Sequence, residues 1–450
     1  MPCIIKLRRG LNIGIKGKVK PEFLKDITSK SFALKPDDFK GVTPKLLVKV
    51  DDVVKAGTPI FYDKDNPEIK FASPVSGKVS AINRGERRKI LEIVIEANSN
   101  QEFLQSEVSE ISKLSREQII NIMLESGLWP FVIQRPFGTI ANPKDTPKAI
   151  FISGFDTSPL APDLEFILKG EENNLQTGID ILKKLTDCKI NVGIDNNSKN
   201  KSIFENLNNL EITRFSGPHP AGNVGVQIHH VNPINKGERI WVIRPEDVIV
   251  IGKYFTKGIY DVSRIIALVG SEIKNAGYVK TISGAQTTFI EKTNVTEIQK
   301  RYISGNVLTG SKISENGFLG FYDRMITVIP EGNYFEFAGW ALPGLNKYSN
   351  TKTFASSLIP KKEYKLDTNY HGAERAFVMT GEYEKVVPMD ILPQHLIKAA
   401  IIEDIDLMEN LGIYEVVEED LALCEFVCTS KIEVQTILRN ALDLVKKEMS

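Results

Sequence analysis

Lys148-Ala149-Ile150-Phe151-Ile152-Ser153, Lys189-Ile190-Asn191-Val192-Gly193-Ile194 and Arg239-Ile240-Trp241-Val242-Ile243 are three apolar runs of strand length in the middle of the sequence. A stretch of helical period near 177–187 separates the first two. Strands that alternate with helices build a partly parallel sheet covered by helices, so an α/β layer is expected over residues 101–255. Val248-Ile249-Val250-Ile251 and Ile265-Ile266-Ala267-Leu268-Val269 also have strand length. Upstream, residues 107–127 carry apolar positions at helical period, and Gly127 stands where a helix C′ glycine belongs.

Working toward the N-terminus, residues 43–97 read as short strands between turns, from Leu46-Leu47-Val48-Lys49-Val50 to Ile90-Leu91-Glu92-Ile93-Val94-Ile95. Their two halves, Asp51-Asp52-Val53-Val54-Lys55-Ala56-Gly57 and Ser73-Pro74-Val75-Ser76-Gly77-Lys78-Val79, resemble the biotinyl/lipoyl barrel-sandwich family. A carrier of that family needs a lysine at a hairpin tip. The tip here, Lys64-Asp65-Asn66-Pro67-Glu68, lacks a Met-Lys-Met sequence, and Lys64 reads as a solvated residue.

Toward the C-terminus, residues 256–330 return to β character, with turn glycines at Gly270, Gly277, Gly284, Gly305 and Gly310. From Pro388 the pattern is helical, ending on the amphipathic face of Val434, Ile437-Leu438, Ala441-Leu442 and Val445. The resulting division is 1–100 (β region with the barrel-sandwich module), 101–255 (α/β), 256–335 (β) and 336–450 (helical from about 388).

The 450 residues carry 57 basic and 57 acidic side chains, a balance that argues against a nucleic-acid partner. No run reaches the roughly 18 apolar residues of a spanning helix, and the N-terminus does not read as a signal peptide. Cys3, Cys188, Cys424 and Cys428 are too few and too scattered for a disulfide scaffold, which favours a reducing cytosol. Asn294-Val295-Thr296 matches the glycosylation pattern, without meaning in that compartment.

In order, these blocks resemble the flavin subunit of respiratory complex I and the C subunit of the Rnf complex, and above all the A subunits of bacterial sodium-translocating NADH:quinone reductases. The motifs that carry the likeness are Phe71–Val79, Ser216-Gly217-Pro218-His219-Pro220-Ala221-Gly222-Asn223-Val224-Gly225 and Gly305-Asn306-Val307-Leu308-Thr309-Gly310. The resemblance implies a Rossmann-like α/β domain, a β-grasp (SLBB-like) domain and a C-terminal helical domain related to a cluster domain. It also implies integral membrane subunits as partners and a peripheral place on the cytoplasmic face of the inner membrane. NADH, flavins, Fe–S centres and Na⁺ would be handled by those other subunits, with ubiquinone as substrate.

This chain departs from its flavin-binding relatives where they bind cofactors. Their glycine run after Ser-Gly-Leu lets backbone N–H groups touch a phosphate. Here Ser126-Gly127-Leu128 leads into Trp129-Pro130-Phe131-Val132-Ile133-Gln134-Arg135-Pro136-Phe137-Gly138-Thr139, bulky and poorer in donors. Both glutamates of the relatives' acidic segment are missing from Ile152-Ser153-Gly154-Phe155-Asp156-Thr157-Ser158-Pro159, and Gly222-x-x-Gly225 reads as a turn. The four cluster-ligand positions fall on Glu418, Leu421, Cys424 and Cys428, so only two thiolates remain. The expectation is a chain with no prosthetic group, metal or catalytic residue of its own.

Two residue groups stand out. Trp129, Phe131, Arg135 and Phe137 place three rings and a guanidinium in one segment, suited to a quinone headgroup or a partner, or else to filling the volume of a lost flavin. Arg214, His219 and His229-His230 form the second, with the histidine pair expected on a strand and facing opposite ways. The charged runs Arg84 to Lys89 and Glu415 to Asp420 read as solvated or partner-contacting surface. Two rival readings remain: a self-sufficient flavin-dependent NADH dehydrogenase and a biotin/lipoyl-type carrier.

Overall fold

The computed structural model describes residues 3–24, 29–107, 110–198, 201–293, 295–296 and 298–449. Asn294 lies outside the described residues.

A seven-stranded sheet forms the centre. Its order is Cys3–Lys6, Glu211–Ser216, Lys189–Asp195, Ala149–Ser153, Ile240–Val242, Ile133–Arg135, Thr139–Ile140. The first five strands pair in parallel and the last two in antiparallel fashion. Cys3–Lys6 therefore belongs to this sheet, Cys3 opposite Thr213, and not to the barrel-sandwich module. The strands are apolar because helices cover them; helices Glu172–Leu185 and Pro245–Lys257 pack on each other through glycines. A Cβ on Gly252 would lie 1.9 Å from the Asn174 carbonyl oxygen, and one on Gly178 2.2 Å from that of Val248.

That packing corrects one expectation. Val248–Ile251 has strand length but lies inside helix Pro245–Lys257. Pro245 at the first helical position, Glu246 and Asp247 in the first turn and left-handed Gly258 at the end are helix signals. They outweigh the local β-branched run, and the helix is apolar nearly all round because it is buried on nearly every side. Helix Arg116–Glu125 starts at a capping box of Ser115 and Gln118, and Gly127 follows it with φ +73°, as expected.

The barrel-sandwich module pairs a four-stranded sheet (Ser31–Leu34, Ile90–Ala97, Gly77–Arg84, Val53–Val54) with a three-stranded one (Pro44–Leu46, Pro59–Asp63, Lys70–Ala72). Lys64 is exposed at the hairpin tip. The turn is organised by the buried Asp63 carboxylate, which accepts hydrogen bonds from Thr43 N–H (3.1 Å) and Asn66 Nδ2 (3.2 Å). A mixed five-stranded sheet follows: Gly277–Ile282, Ser263–Val269, Met325–Pro330, Lys300–Ser304 and Ser311–Ile313. The C-terminal part is helical through Pro393–Ile401, Ile405–Asn410, Ala422–Val427 and Val434–Glu448; the last buries Val434, Leu438, Ala441, Leu442 and Val445. Among the described residues no helix is long and apolar enough to cross a membrane.

Candidate functional site

Counted along the chain, the strands Ala149–Ser153, Lys189–Asp195, Glu211–Ser216 and Ile240–Val242 stand in the order third, second, first, fourth. The direction of winding thus reverses between the first and the fourth, and the loops leaving their carboxyl ends diverge into a crevice. A cavity of about 620 Å³ opens there. Ser153, Asp156, His219 and Arg244 come from the α/β part, Asp38 from the N-terminal module, Tyr322 and Arg324 from the mixed sheet, and Glu418 and Arg439 from the helical part. All four parts of the molecule meet at this cleft.

Its floor is fastened by the segment that replaces the glycine run. Trp129, Phe131 and Phe137 are buried, so they do not form a surface. Trp129 donates Nε1–H to the Ala141 carbonyl (2.7 Å) and meets Trp241 edge to face, with centroids 5.6 Å apart. Phe131 stacks on Phe321 at 5.4 Å, and Phe137 lies edge to face with Tyr414 at 6.5 Å. Of the four residues singled out, Arg135 alone lines the cleft.

Arg135 is 3 % exposed and donates Nη1–H to Asp420 (2.5 Å) and Nη2–H to Glu419 (2.5 Å). Asp420 also accepts the Val417 N–H (3.0 Å), and Asn223 donates Nδ2–H to the Glu419 carbonyl (2.9 Å). Of the acidic run Glu415 to Asp420, expected as solvated or partner-contacting surface, Asp420 is turned fully inward, because a buried guanidinium demands partners, while Glu419 keeps a side chain 43 % exposed. Gly225 explains part of its motif: a Cβ there would lie 2.4 Å from both Asp420 carboxylate oxygens. Gly222 does the same against the Thr157 N–H, at 2.7 Å. Both glycines serve close backbone approach.

The other walls are polar. Arg244 lies 4.4 Å over the Tyr322 ring, and Arg324 faces Glu246 (3.3 Å) and Asp156 (3.9 Å). Glu246 and Asp247 therefore occupy the positive end of helix Pro245–Lys257 themselves. Asp38 accepts the Phe321 N–H (2.8 Å); burial pushes its carboxyl up to about 6 against the pull of Lys35, with Asp323 adding to the rise. His219 exchanges a hydrogen bond with Thr157 Oγ (3.1 Å), and burial lowers its pKa to about 4 against the opposing effect of Asp156. The imidazole is neutral at pH 7 and its Nε2 has no hydrogen-bond partner among the described residues.

The second group of candidates is not assembled. His229-His230 lies on helix Val224–Val231, not on a strand, because Asn223 ends the extended segment and the apolar spacing that follows is helical. His229 bonds Glu415 (2.7 Å) and accepts the Asp390 N–H (3.0 Å), and His230 meets the Pro388 carbonyl (2.8 Å). Both histidines fasten the helical part to the α/β part, away from the cleft. Arg214 pairs with Glu205 on the flank, which leaves His219 as the cleft residue of the group. Sequence reasoning missed Arg244, Tyr322, Arg324 and Asp38, which come from distant segments and carry no local motif.

The cluster-ligand positions also have other tasks. Glu418 faces Arg439 (3.5 Å), Leu421 is core, and Cys424 and Cys428 are buried free thiols, with Cys424 held protonated by burial. Among the described residues no group of three or more His, Cys, Asp or Glu could hold a metal ion.

A barrel-sandwich module, a parallel α/β sheet with a switch-point cleft, a mixed β sheet and a helical part thus frame one polar cavity. Family models match three segments: the NqrA N-terminal barrel-sandwich hybrid domain over 5–98, the NqrA second alpha/beta domain over 114–260 and the NQRA C-terminal domain over 265–315. The chain is 40% identical over 390 residues to the A subunit of the Na(+)-translocating NADH-quinone reductase of Yersinia pestis, covering 86% of this chain and 87% of that one. It is 38% identical over 452 residues to the corresponding protein of Neisseria meningitidis strain MC58, covering 99% and 100%. The chain belongs to the family of Na(+)-translocating NADH-quinone reductase A subunits. Among solved structures, an H2-reduced NAD+-reducing [NiFe]-hydrogenase shares 10% identity at a TM-score of 0.39 over 75% of this chain and 62% of that chain, too little to carry an argument.

Proposed function

We propose that this chain is the peripheral, prosthetic-group-free subunit of a Na⁺-translocating NADH:quinone reductase, seated on integral subunits at the cytoplasmic face, and that its central cleft receives the quinone headgroup. NADH oxidation, flavin and cluster redox steps and Na⁺ movement then belong to other subunits. The third-second-first-fourth strand order supports a Rossmann-like origin, and the mixed sheet between Ser263 and Pro330 supports the β-grasp reading.

The observation that carries the proposal is the replacement of a phosphate cradle by the protein's own groups. Trp129 and Phe131 fill the volume that backbone donors would need, Glu419 and Asp420 take the Arg135 guanidinium, and Glu246 and Asp247 take the helix end that an anion would seek. A flavin phosphate does not fit there, nor does a four-thiolate cluster fit two cysteines. What remains is a cavity with a guanidinium-backed ring, Arg244 on Tyr322, and neutral His219 with a spare ring nitrogen. A planar uncharged headgroup can stack on the first and exchange hydrogen bonds with the second.

A visible spectrum of the purified chain tests the first half, since a flavin band at stoichiometric amount sinks it. Titration with a short-chain ubiquinone tests the second. His219→Gln and Arg244→Gln are each expected to weaken binding tenfold or more; affinity unchanged in both, with the fold intact, ends the quinone assignment.

A further inference from the structure

Residues 334–345, Tyr334-Phe335-Glu336-Phe337-Ala338-Gly339-Trp340-Ala341-Leu342-Pro343-Gly344-Leu345, leave the mixed sheet as an irregular loop. Phe335 is fully exposed, Phe337 97 % and Trp340 84 % exposed. Leu342 (54 %) and Leu345 (61 %) of the same loop are exposed as well, and the Ala355 N–H ties the loop's end down by donating to the Pro343 carbonyl (2.9 Å). Each large aromatic side chain offers roughly 150–250 Å². Three exposed rings with Leu342 and Leu345 in one twelve-residue loop therefore reach or exceed the roughly 300–600 Å² of a monomer's largest apolar patch.

The loop is built, not merely loose. Lys347 donates Nζ–H to the Gly339 carbonyl (2.6 Å) and pairs with Glu336 (2.5 Å), and Lys362 donates to the Leu345 carbonyl. Tyr334 donates its hydroxyl to Asp367 (2.7 Å). Polar groups thus hold the backbone in shape while the rings face outward, the preorganisation that lowers the ordering cost of binding.

Three candidate occupants can be compared. In a second copy of the chain, a two-fold contact would set this face against itself. Lys347 takes up the loop's Glu336 carboxylate, and Lys352 and Lys361, exposed and without an ion pair among the described residues, leave the segment net positive, so like would meet like. Lipid is disfavoured by the backbone: the N–H groups of Phe335, Phe337 and Trp340 make no hydrogen bond among the described residues, and an irregular loop cannot leave such groups in hydrocarbon. A protein partner can accept those N–H groups, bury the rings and answer the exposed Lys352 and Lys361 with carboxylates.

From this we infer that the 334–345 loop is the docking element for another subunit of the reductase, one presenting an apolar socket with an acidic rim; the inference rests on the assembly proposed above. The test titrates the full-length chain against detergent-solubilised reductase purified from cells lacking this subunit. Phe335→Ser/Phe337→Ser/Trp340→Ser is expected to weaken association at least tenfold, and Lys352→Glu/Lys361→Glu to weaken it in a salt-dependent way. Both variants should keep the wild-type unfolding midpoint and ubiquinone affinity. Wild-type-like association of the triple variant overturns the inference. A loss confined to liposome binding, or to self-association, also overturns it, in favour of lipid or a second copy. Failure of the wild-type chain itself to associate overturns the assembly reading, and this inference with it.

Discussion

Leu128-Trp129-Pro130-Phe131 and Phe337-Ala338-Gly339-Trp340 are alike in composition and opposite in fate. The first pair of rings is sealed inside the molecule; the second is in water. Their neighbours decide this. Trp129 and Phe131 stand between a helix ending at Glu125 and a strand beginning at Ile133, so their rings fall into a closed volume. Phe337 and Trp340 follow the strand Met325–Pro330 with no later strand or α-helix before Glu382 to cover them. Aromatic content identifies a sticky segment; the surrounding elements determine which surface it meets.

The contrast can be broken at its foundation. Arg135→Ala leaves Asp420 buried without its partner and is expected to cost about 3–5 kcal/mol, measured by denaturant unfolding. Trp129→Ala empties a filled site and is expected to cost roughly 3–5 kcal/mol in the same measurement. If either variant were as stable as wild type, the sealed half of the comparison would fail.

A pH series sharpens the picture around the cleft. His219 binds its proton less readily folded than unfolded, so stability falls as pH drops from about 6.5 toward 4. Asp38 holds its proton more tightly folded, so its contribution runs the other way and stability rises as pH drops from about 6 toward 3.8. In His219→Gln the first trend should vanish and leave the second, read from unfolding midpoints across pH 4–7.

Smaller effects follow at the edge. His229→Ala, which frees Glu415 from its clamp, should cost ~1.5–3 kcal/mol. Trp340→Ala should change stability by less than about 0.5 kcal/mol. A large loss on Trp340→Ala would mean that the loop belongs to the core after all.

Much of this architecture could be read from local pattern. The strands at Ala149, Lys189 and Ile240, the hairpin tip at Lys64 and the C′ glycine at Gly127 each carry their own signal in neighbouring residues. Val248–Ile251 misled because a helix buried on nearly all sides loses the polar face that marks its period. His229-His230 misled for a related reason: eight residues give few turns in which to show a helical repeat. The cleft was the least legible part. Asp38, Arg135, Arg244, Arg324 and Glu419 are brought together by tertiary packing, and no spacing in the sequence records that they meet. The one clue was negative, the missing glycines after Leu128. The exposed loop left a clue that composition alone did not expose: from Phe337 to Lys362 the chain has rings and lysines but no acid.

The parallel pairing of Cys3–Lys6 with Glu211–Ser216 has a consequence for the order of assembly. The ribosome releases the earlier strand long before the later one, which emerges only after the barrel-sandwich module and half of the sheet have been made. The module can close on contacts within its own length; the earlier strand has to remain unpaired meanwhile, with its backbone groups available to wrong partners. Translation speed through the roughly two hundred residues between them, and chaperone capture of the waiting strand, should therefore govern the yield of this chain more than its final stability does.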